Sequence, residues 1–248
     1  MAGWQAFKEE CARWRDAGRA LEFWWRDDDA QRPAPALDRL LALSARFEVP
    51  LALAVIPVAA EPDLFARLGD CVQVLQHGAD HRNRSSAGGK KSEFPDSEPA
   101  EEALARLEKA RLRLARLAGT RFVPVLAPPW NRFPDALAPR LVSAGYRGLT
   151  RYGARHAAIP GLREVNAHVD IVAWRGDRGF VGEAGALQAF LQQLTERREN
   201  GFDASEPLGL LTHHAVHDDA AWQFIERLLE TTRDADLRWR AAQELFHS

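Results

Sequence analysis

Cysteine is scarce in this chain: Cys11 and Cys71 are the only two among 248 residues. They cannot build a disulfide framework and form no Cys-x-x-Cys pair, which excludes a disulfide-stapled scaffold and the common zinc-ribbon and dithiol motifs. Both read as buried thiols. A charge surplus is also missing. Lys and Arg number 33 against 35 Asp and Glu, for a formal net charge of -2. No basic excess therefore points to nucleic acid or to an anionic membrane as partner. Long apolar runs are absent too, since no window approaches the roughly 18 residues a membrane-spanning helix needs. The opening Met1–Cys11 stretch carries acids early and lacks the apolar core of a secretory signal. The expectation is a cytoplasmic chain acting on an intracellular molecule.

What is present is an ordinary core-forming composition, 46% hydrophobic and 27% charged, at a length that suits one large α/β domain spanning 1–248. Trp4, Phe7, Cys11 and Trp14 recur at helical spacing, which predicts an N-terminal helix within 1–18. Strand-like runs then alternate with helical ones. Leu21–Trp25, Leu51–Ile56, Cys71–Leu75, Phe122–Leu126, Tyr146–Thr150, Glu164–Trp174 and Leu208–Thr212 read as extended. Between them lie helical patterns at 35–47, 62–68, 99–117, 135–144, 184–198 and 219–231. Alternation without an internal repeat implies a parallel sheet with helices outside, and six or seven units favour a barrel over an open sheet. One stretch, 82–98, is polar and aperiodic; a loop this long in a compact domain is usually functional.

The residues that can carry chemistry collect where strands end. Trp25-Arg26-Asp27-Asp28-Asp29 closes the first strand, and His77-Gly78-Ala79-Asp80-His81 closes the third. Carboxylates and imidazoles from neighbouring strand ends suit a divalent ion that keeps a position open for water. Either motif alone is weak, because an acid triplet is usually solvated and about 0.26 His pairs at this spacing arise by chance. Four residues bring both rings to one point if the chain turns helically after the strand. His213 and His214 end the last strand, with His217, Asp218 and Asp219 behind them, and one such ring can act as a general acid near neutral pH. Pro128 and Pro129 force the chain out of the sheet before Trp130.

The order of these motifs resembles the polysaccharide deacetylase family, also called the NodB-homology or carbohydrate esterase family 4 group. Its pattern is Asp-Asp, His-x-x-x-His, Arg-x-Pro-aromatic, Asp with a following Trp, and Leu-x-His. The counterparts here are Asp27-Asp28, His77 and His81, Ala127-Pro128-Pro129-Trp130, Asp170 with Trp174, and Leu211-Thr212-His213. The resemblance implies a distorted (β/α)7-type barrel, the NodB-homology barrel, in a single domain. It also implies a metal-dependent hydrolase that removes an acyl group from an amino sugar or sugar conjugate. Asp28, His77 and His81 would hold one divalent metal, zinc or else cobalt or nickel. Asp27 would be the base, His213 the acid, and the Trp130 N–H the oxyanion donor. Trp130, Arg132, Asp170 and Trp174 would line the substrate site.

The chain departs from the pattern at Ala127, where the family has an arginine that orients the base; Arg26 and Arg132 are the candidates to replace it. The acid triplet leaves open which two members are base and ligand, and the His213-His214 doublet leaves the acid open by one residue. The 82–98 loop is expected to close over substrate, with Arg82, Arg84, Lys90 and Lys91 on a phosphate. Two other readings stand beside this one: a hydrolase of a small non-sugar amide, and a non-catalytic sugar-binding protein.

Overall fold

The computed structural model describes residues 2–176, 178–200, 203 and 205–247. In chain order the elements are α1 (Ala2–Asp16), β1 (Glu22–Ala30), α2 (Pro35–Phe47), β2 (Leu51–Val55), α3 (Pro62–Ala66) and β3 (Val72–His77). Next come α4 (Ala100–Ala118), β4 (Phe122–Ala127), α5 (Arg140–Ser143), β5 (Gly148–Leu149), β6 (Arg163–Glu164) and β7 (Val169–Asp170). The last are α6 (Glu183–Asn200), β8 (Leu208–Thr212), α7 (Asp219–Asp234), β9 (Arg238–Trp239) and α8 (Ala242–Phe246).

Local chemistry sets the helix ends. Pro35 opens α2, where its missing N–H costs nothing, and Glu48 in the left-handed region closes it. Leu37, Leu40, Leu43 and Phe47 form its buried stripe. Asp218 caps α7 by accepting from Ala221 N.

The pairings between these strands are parallel, in the order β6-β5-β4-β3-β2-β1-β8-β7, with β9 beside β1. The central strand β2, Leu-Ala-Leu-Ala-Val, is buried at every position, as a parallel strand covered on both faces must be. The ends of this order, β6 and β7, are successive lengths of one extended segment. Ala167 N donates to Arg151 O on the β5 side, and the next residue, His168, donates to Gly209 O of β8. The sheet therefore curls round into a distorted barrel of seven strand positions with helices outside, as the alternation implied.

Alternation along β1 sorts its side chains. Phe23 and Trp25 pack outward into the core shared with α1, α2, α6 and α7. Trp24 points inward, where Ala52, Ala54, Leu75, Val125 and Ala127 surround it and Leu245 and Phe246 of α8 plug the barrel from below. Gly148 is needed there, since a Cβ would lie 2.3 Å from Phe246 Cδ1. Arg26, on the same side as Trp24, crosses the interior to the Thr150 carbonyl beyond β5. The segment 135–144 is helical only over Arg140–Ser143, with turns before it.

Candidate metal centre and active site

Three consecutive acids at the end of β1 have three different environments, and a bulge is the reason. The register of β1 against β2 shifts between Asp27 and Ala30, and Asp29 adopts a φ of 71°. Such an inserted residue re-aims the side chains around it. Asp27, still in register opposite Leu53 and Thr212, points to the outer face. Its carboxylate accepts from Thr212 Oγ1 at 2.7 Å and His214 N at 3.0 Å, and meets His214 Nδ1 at 2.5 Å. Burial would raise its pKa, but the charge and hydrogen bond of His214 hold it below the usual range. Asp28 turns inward to Arg26, with Nε 2.9 Å from Oδ1 and Nη2 3.0 Å from Oδ2. Asp29, past the bulge, places Oδ1 3.1 Å from His77 Nε2 and 3.2 Å from His81 Nε2.

The imidazoles converge by a turn, but not a helical one. His77 ends β3, Gly78 follows with φ 58°, and His81 is itself left-handed at φ 57°. At Gly78 a Cβ would sit 2.0 Å from Glu93 Oε2 and 2.6 Å from Pro129 Cδ, so no other residue fits. The N–H groups of Ala79, Asp80 and His81 all donate to the Glu93 carboxylate, at 2.9, 3.1 and 3.2 Å. Glu93 is buried, and burial pushes its pKa up against those donors. The expected helical turn is thus replaced by a carboxylate-clamped nest. Trp130, with φ 55° after the two prolines, lays its ring 4.5 Å from that of His81.

Across the cleft, His213 Nε2 faces Asp28 Oδ2 at 4.0 Å. The Trp174 ring packs edge-on to His213 at 4.6 Å, while Trp174 Nε1 donates to Asp170 at 2.7 Å. Asp170 also accepts from Val172 N at 2.9 Å, and burial raises its pKa against the nearby His213. His213 therefore faces the cleft, while His214 is bound to Asp27.

The metal-ligand geometry falls on Asp29, His77 and His81, whose ligand atoms all lie within 4.8 Å of one another. This corrects the expected frame by one residue. Asp28 is not the acid between the imidazoles, and Asp27 lies outside the cleft, bound to Thr212 and His214. Of the two candidates for the missing arginine's place, one reaches the acid triplet. Arg26, wholly buried, grips Asp28 and is itself fixed by Thr150 Oγ1 at 2.9 Å and Asn131 Oδ1 at 2.6 Å. Arg132 is not there; it is exposed and donates to the Lys91 carbonyl at 2.6 Å. In the 82–98 loop, Arg84 is spent on Asp80 through bonds of 2.8 and 2.7 Å and cannot also hold a phosphate. Glu93, Asn131 and the Asp27–His214 pair gave no sequence signal; a lone Glu in a polar loop looks solvated.

Burial would raise the pKa of Asp29, yet the contacts with His77 and His81 hold it far below the carboxylate range. Burial lowers and Asp28 and Asp29 raise the pKa of His77, with a net rise. Asp29 Oδ1 is buried with no hydrogen-bond partner among the described residues. An orphaned anionic oxygen between two imidazole nitrogens is the donor set a divalent cation needs.

No family model matches the sequence, and no curated protein is similar to it in sequence. Solved structures do share its fold. The family 4 carbohydrate esterase from Streptomyces lividans in complex with acetate superposes with a TM-score of 0.57 at 15% identity, covering 88% of this chain and 91% of that one. The polysaccharide deacetylase Bc1974 from Bacillus cereus gives 0.57 at 14% identity, over 92% and 95%. The family 4 acetyl xylan esterase from Clostridium thermocellum, in complex with a cobalt ion, gives 0.57 at 12%, over 91% and 90%. These are likenesses of fold.

Proposed function

We propose that the chain is a metal-dependent hydrolase that removes an acyl group, acetyl first among candidates, from an intracellular amino sugar or sugar conjugate. The observation that carries this reading is the convergence of the Asp29, His77 and His81 ligand atoms beside an Arg26-held carboxylate and a facing imidazole. Separations of 3.1 and 3.2 Å between Asp29 Oδ1 and the two Nε2 atoms suit groups sharing one ion at about 2 Å each. Zinc, cobalt or nickel fits this mixed donor set. Bound there, such an ion would polarise the acyl carbonyl and acidify a water.

The chain's own residues supply the rest. Asp28, aimed by two contacts from Arg26, accepts the proton of the attacking water at a carboxylate oxygen. His213, on the opposite side of that carboxylate, gives a proton to the leaving amine, which is otherwise a poor leaving group. The Trp130 N–H is assigned to the oxygen of the tetrahedral adduct. Trp130 and Trp174 wall the acyl group, and Asp170 fixes Trp174. The structural likeness to family 4 deacetylases and esterases supports the same chemistry. The Arg26–Asp28 pair restores the base-orienting contact that Ala127 had left in doubt, which favours the deacetylase reading over a small-amide hydrolase or a binding protein.

Metal content and hydrolysis of acetylated amino sugars, measured on the same preparation, test the reading. About one zinc, cobalt or nickel per chain with acetate release is expected. Stoichiometric metal without release from any acetylated amine or ester would overturn it.

A further inference from the structure

Beside the catalytic cleft lies a second one of about 400 Å³, walled by the 82–98 loop on one side and by 151–156 on the other. The two are joined through Asn131, which lines this cleft and accepts from Arg26, the residue that grips Asp28. Its floor is apolar, with Phe94, Phe133 and Pro134, and Tyr152 stands exposed on the far wall. An aromatic face beside apolar ground is what a sugar ring stacks on.

The charges on its walls are unequal. Arg151 is neutralised by Glu164 and Asp135, and His156 also faces Asp135. Lys90 and Arg132 meet no carboxylate among the described residues; Arg132 reaches only the Lys91 carbonyl. One acid, Asp96, lines the cleft without a cationic partner among those residues. The loop bearing Lys90 is fixed: Arg84 N donates to Ser92 O, Ser85 Oγ to Lys90 O, and Asn83 Oδ1 accepts from Ser85 and Ser92 N. Two cations and one acid, none with an ion-pair partner among the described residues, thereby stand on a wall of fixed backbone beside the catalytic cleft.

We infer that this cleft seats an anionic group, a carboxylate or a phosphate, carried by the sugar whose acyl group is removed, with Lys90 and Arg132 as its partners. The inference rests on the hydrolase reading above and names the substrate class for that site.

The test compares N-acetylglucosamine with its 6-phosphate and with N-acetylmuramic acid, which carries a carboxylate, using metal-loaded protein. The kcat/KM for at least one anionic sugar should exceed that for the neutral one, and whichever is favoured identifies the anion. K90Q and R132Q should each lower the anionic-to-neutral ratio about fivefold, the upper range for an exposed ion pair. D96N should raise it, while K8Q on the distant α1 should leave it unchanged. Hydrolysis with equal ratios in all variants would overturn the cleft assignment and keep the hydrolase. Calorimetric binding of the same sugars needs no turnover: anion-selective binding lost in K90Q, without hydrolysis, would keep the cleft and overturn the hydrolase.

Discussion

The barrel buries acids, imidazoles and guanidinium groups at both ends, and the two ends treat them oppositely. Below, at the start of β8, Glu206 and His168 have side chains 1% and 2% exposed. Glu206 Oε1 accepts from Asn166 N at 2.6 Å, and Oε2 meets His168 Nε2 at 3.2 Å. His168 Nδ1 accepts from Gly209 N at 3.0 Å, so the proton sits on Nε2 and the ring is neutral. Above, Asp29 Oδ1, His77 Nδ1 and His213 Nδ1 are buried without a hydrogen bond, whereas below, among the described residues, only Arg197 Nε is. Left-handed backbone also gathers above, at Asp29, His81, Trp130 and Asn131. Strain and orphaned donors mark a site built to receive something; saturated bonds mark one built to stay closed.

The sharpest way to break this comparison is to neutralise one acid at each end. Asp29→Asn should lose the metal and nearly all turnover with little loss of fold, because among the described residues Asp29 Oδ1 meets only the two imidazoles and accepts no other hydrogen bond. Asp28→Asn should keep the metal and lower kcat by about 10²–10⁴, the usual range for a general base. Metal analysis beside initial rates separates the two. Metal lost in Asp28→Asn and kept in Asp29→Asn would return the assignment to the frame read from the sequence. Glu206→Gln should leave both readouts unchanged.

Arg26 tests whether the upper end also contributes to stability. Wholly buried between Asp28, Thr150 and Asn131, it cannot be removed without stranding a buried carboxylate. Arg26→Met should cost about 3–5 kcal/mol in urea unfolding, the range for breaking a buried pair. The double variant Arg26→Met with Asp28→Asn should recover part of that loss, since the stranded charge is gone. A single variant as stable as the parent would show that Asp28 is held by something else.

How much of this was legible follows from what each feature depends on. The alternation of strands and helices and the placing of the motifs at strand ends rest on periodicity and on proline and glycine punctuation, which are local. The His77 and His81 pairing was readable because both lie beside one strand end. The one-residue error in the acid triplet arose because side-chain alternation presumes a regular strand, and the bulge at Asp28–Asp29 has no glycine to announce it. Glu93 closes the imidazole turn from 12 to 14 residues away, beyond any periodic pattern. The C-terminal plug, Leu245 and Phe246, sits on a helix of five residues, too short for periodicity to show. Glu206 and His168 share their chemistry with the upper site, and only their bonded neighbours distinguish them.

That last distinction has a pH signature. Burial pushes Glu206 up to about 7, against the pull of Asn166 N–H, Arg155 and Arg197. Burial and the charges of Arg197, Arg155 and Arg26 push His168 down to about 2. The folded state thus retains a proton on Glu206 that the unfolded chain gives up above about 4.5, so this stabilisation is present in acid and is lost as pH rises through about 7. His168 acts the other way: its contribution is full above about 6.5 and is lost as the pH falls and the unfolded chain takes up the proton. In the native protein the two slopes oppose each other between pH 5 and 6.5. Glu206→Gln leaves the histidine unopposed, so the variant should gain on the parent as pH rises from 5 to 7, by about 1 kcal/mol per pH unit. Urea midpoints at four pH values measure this, and a difference that stays constant across them would mean that Glu206 is ionised throughout, erasing the contrast between the two ends.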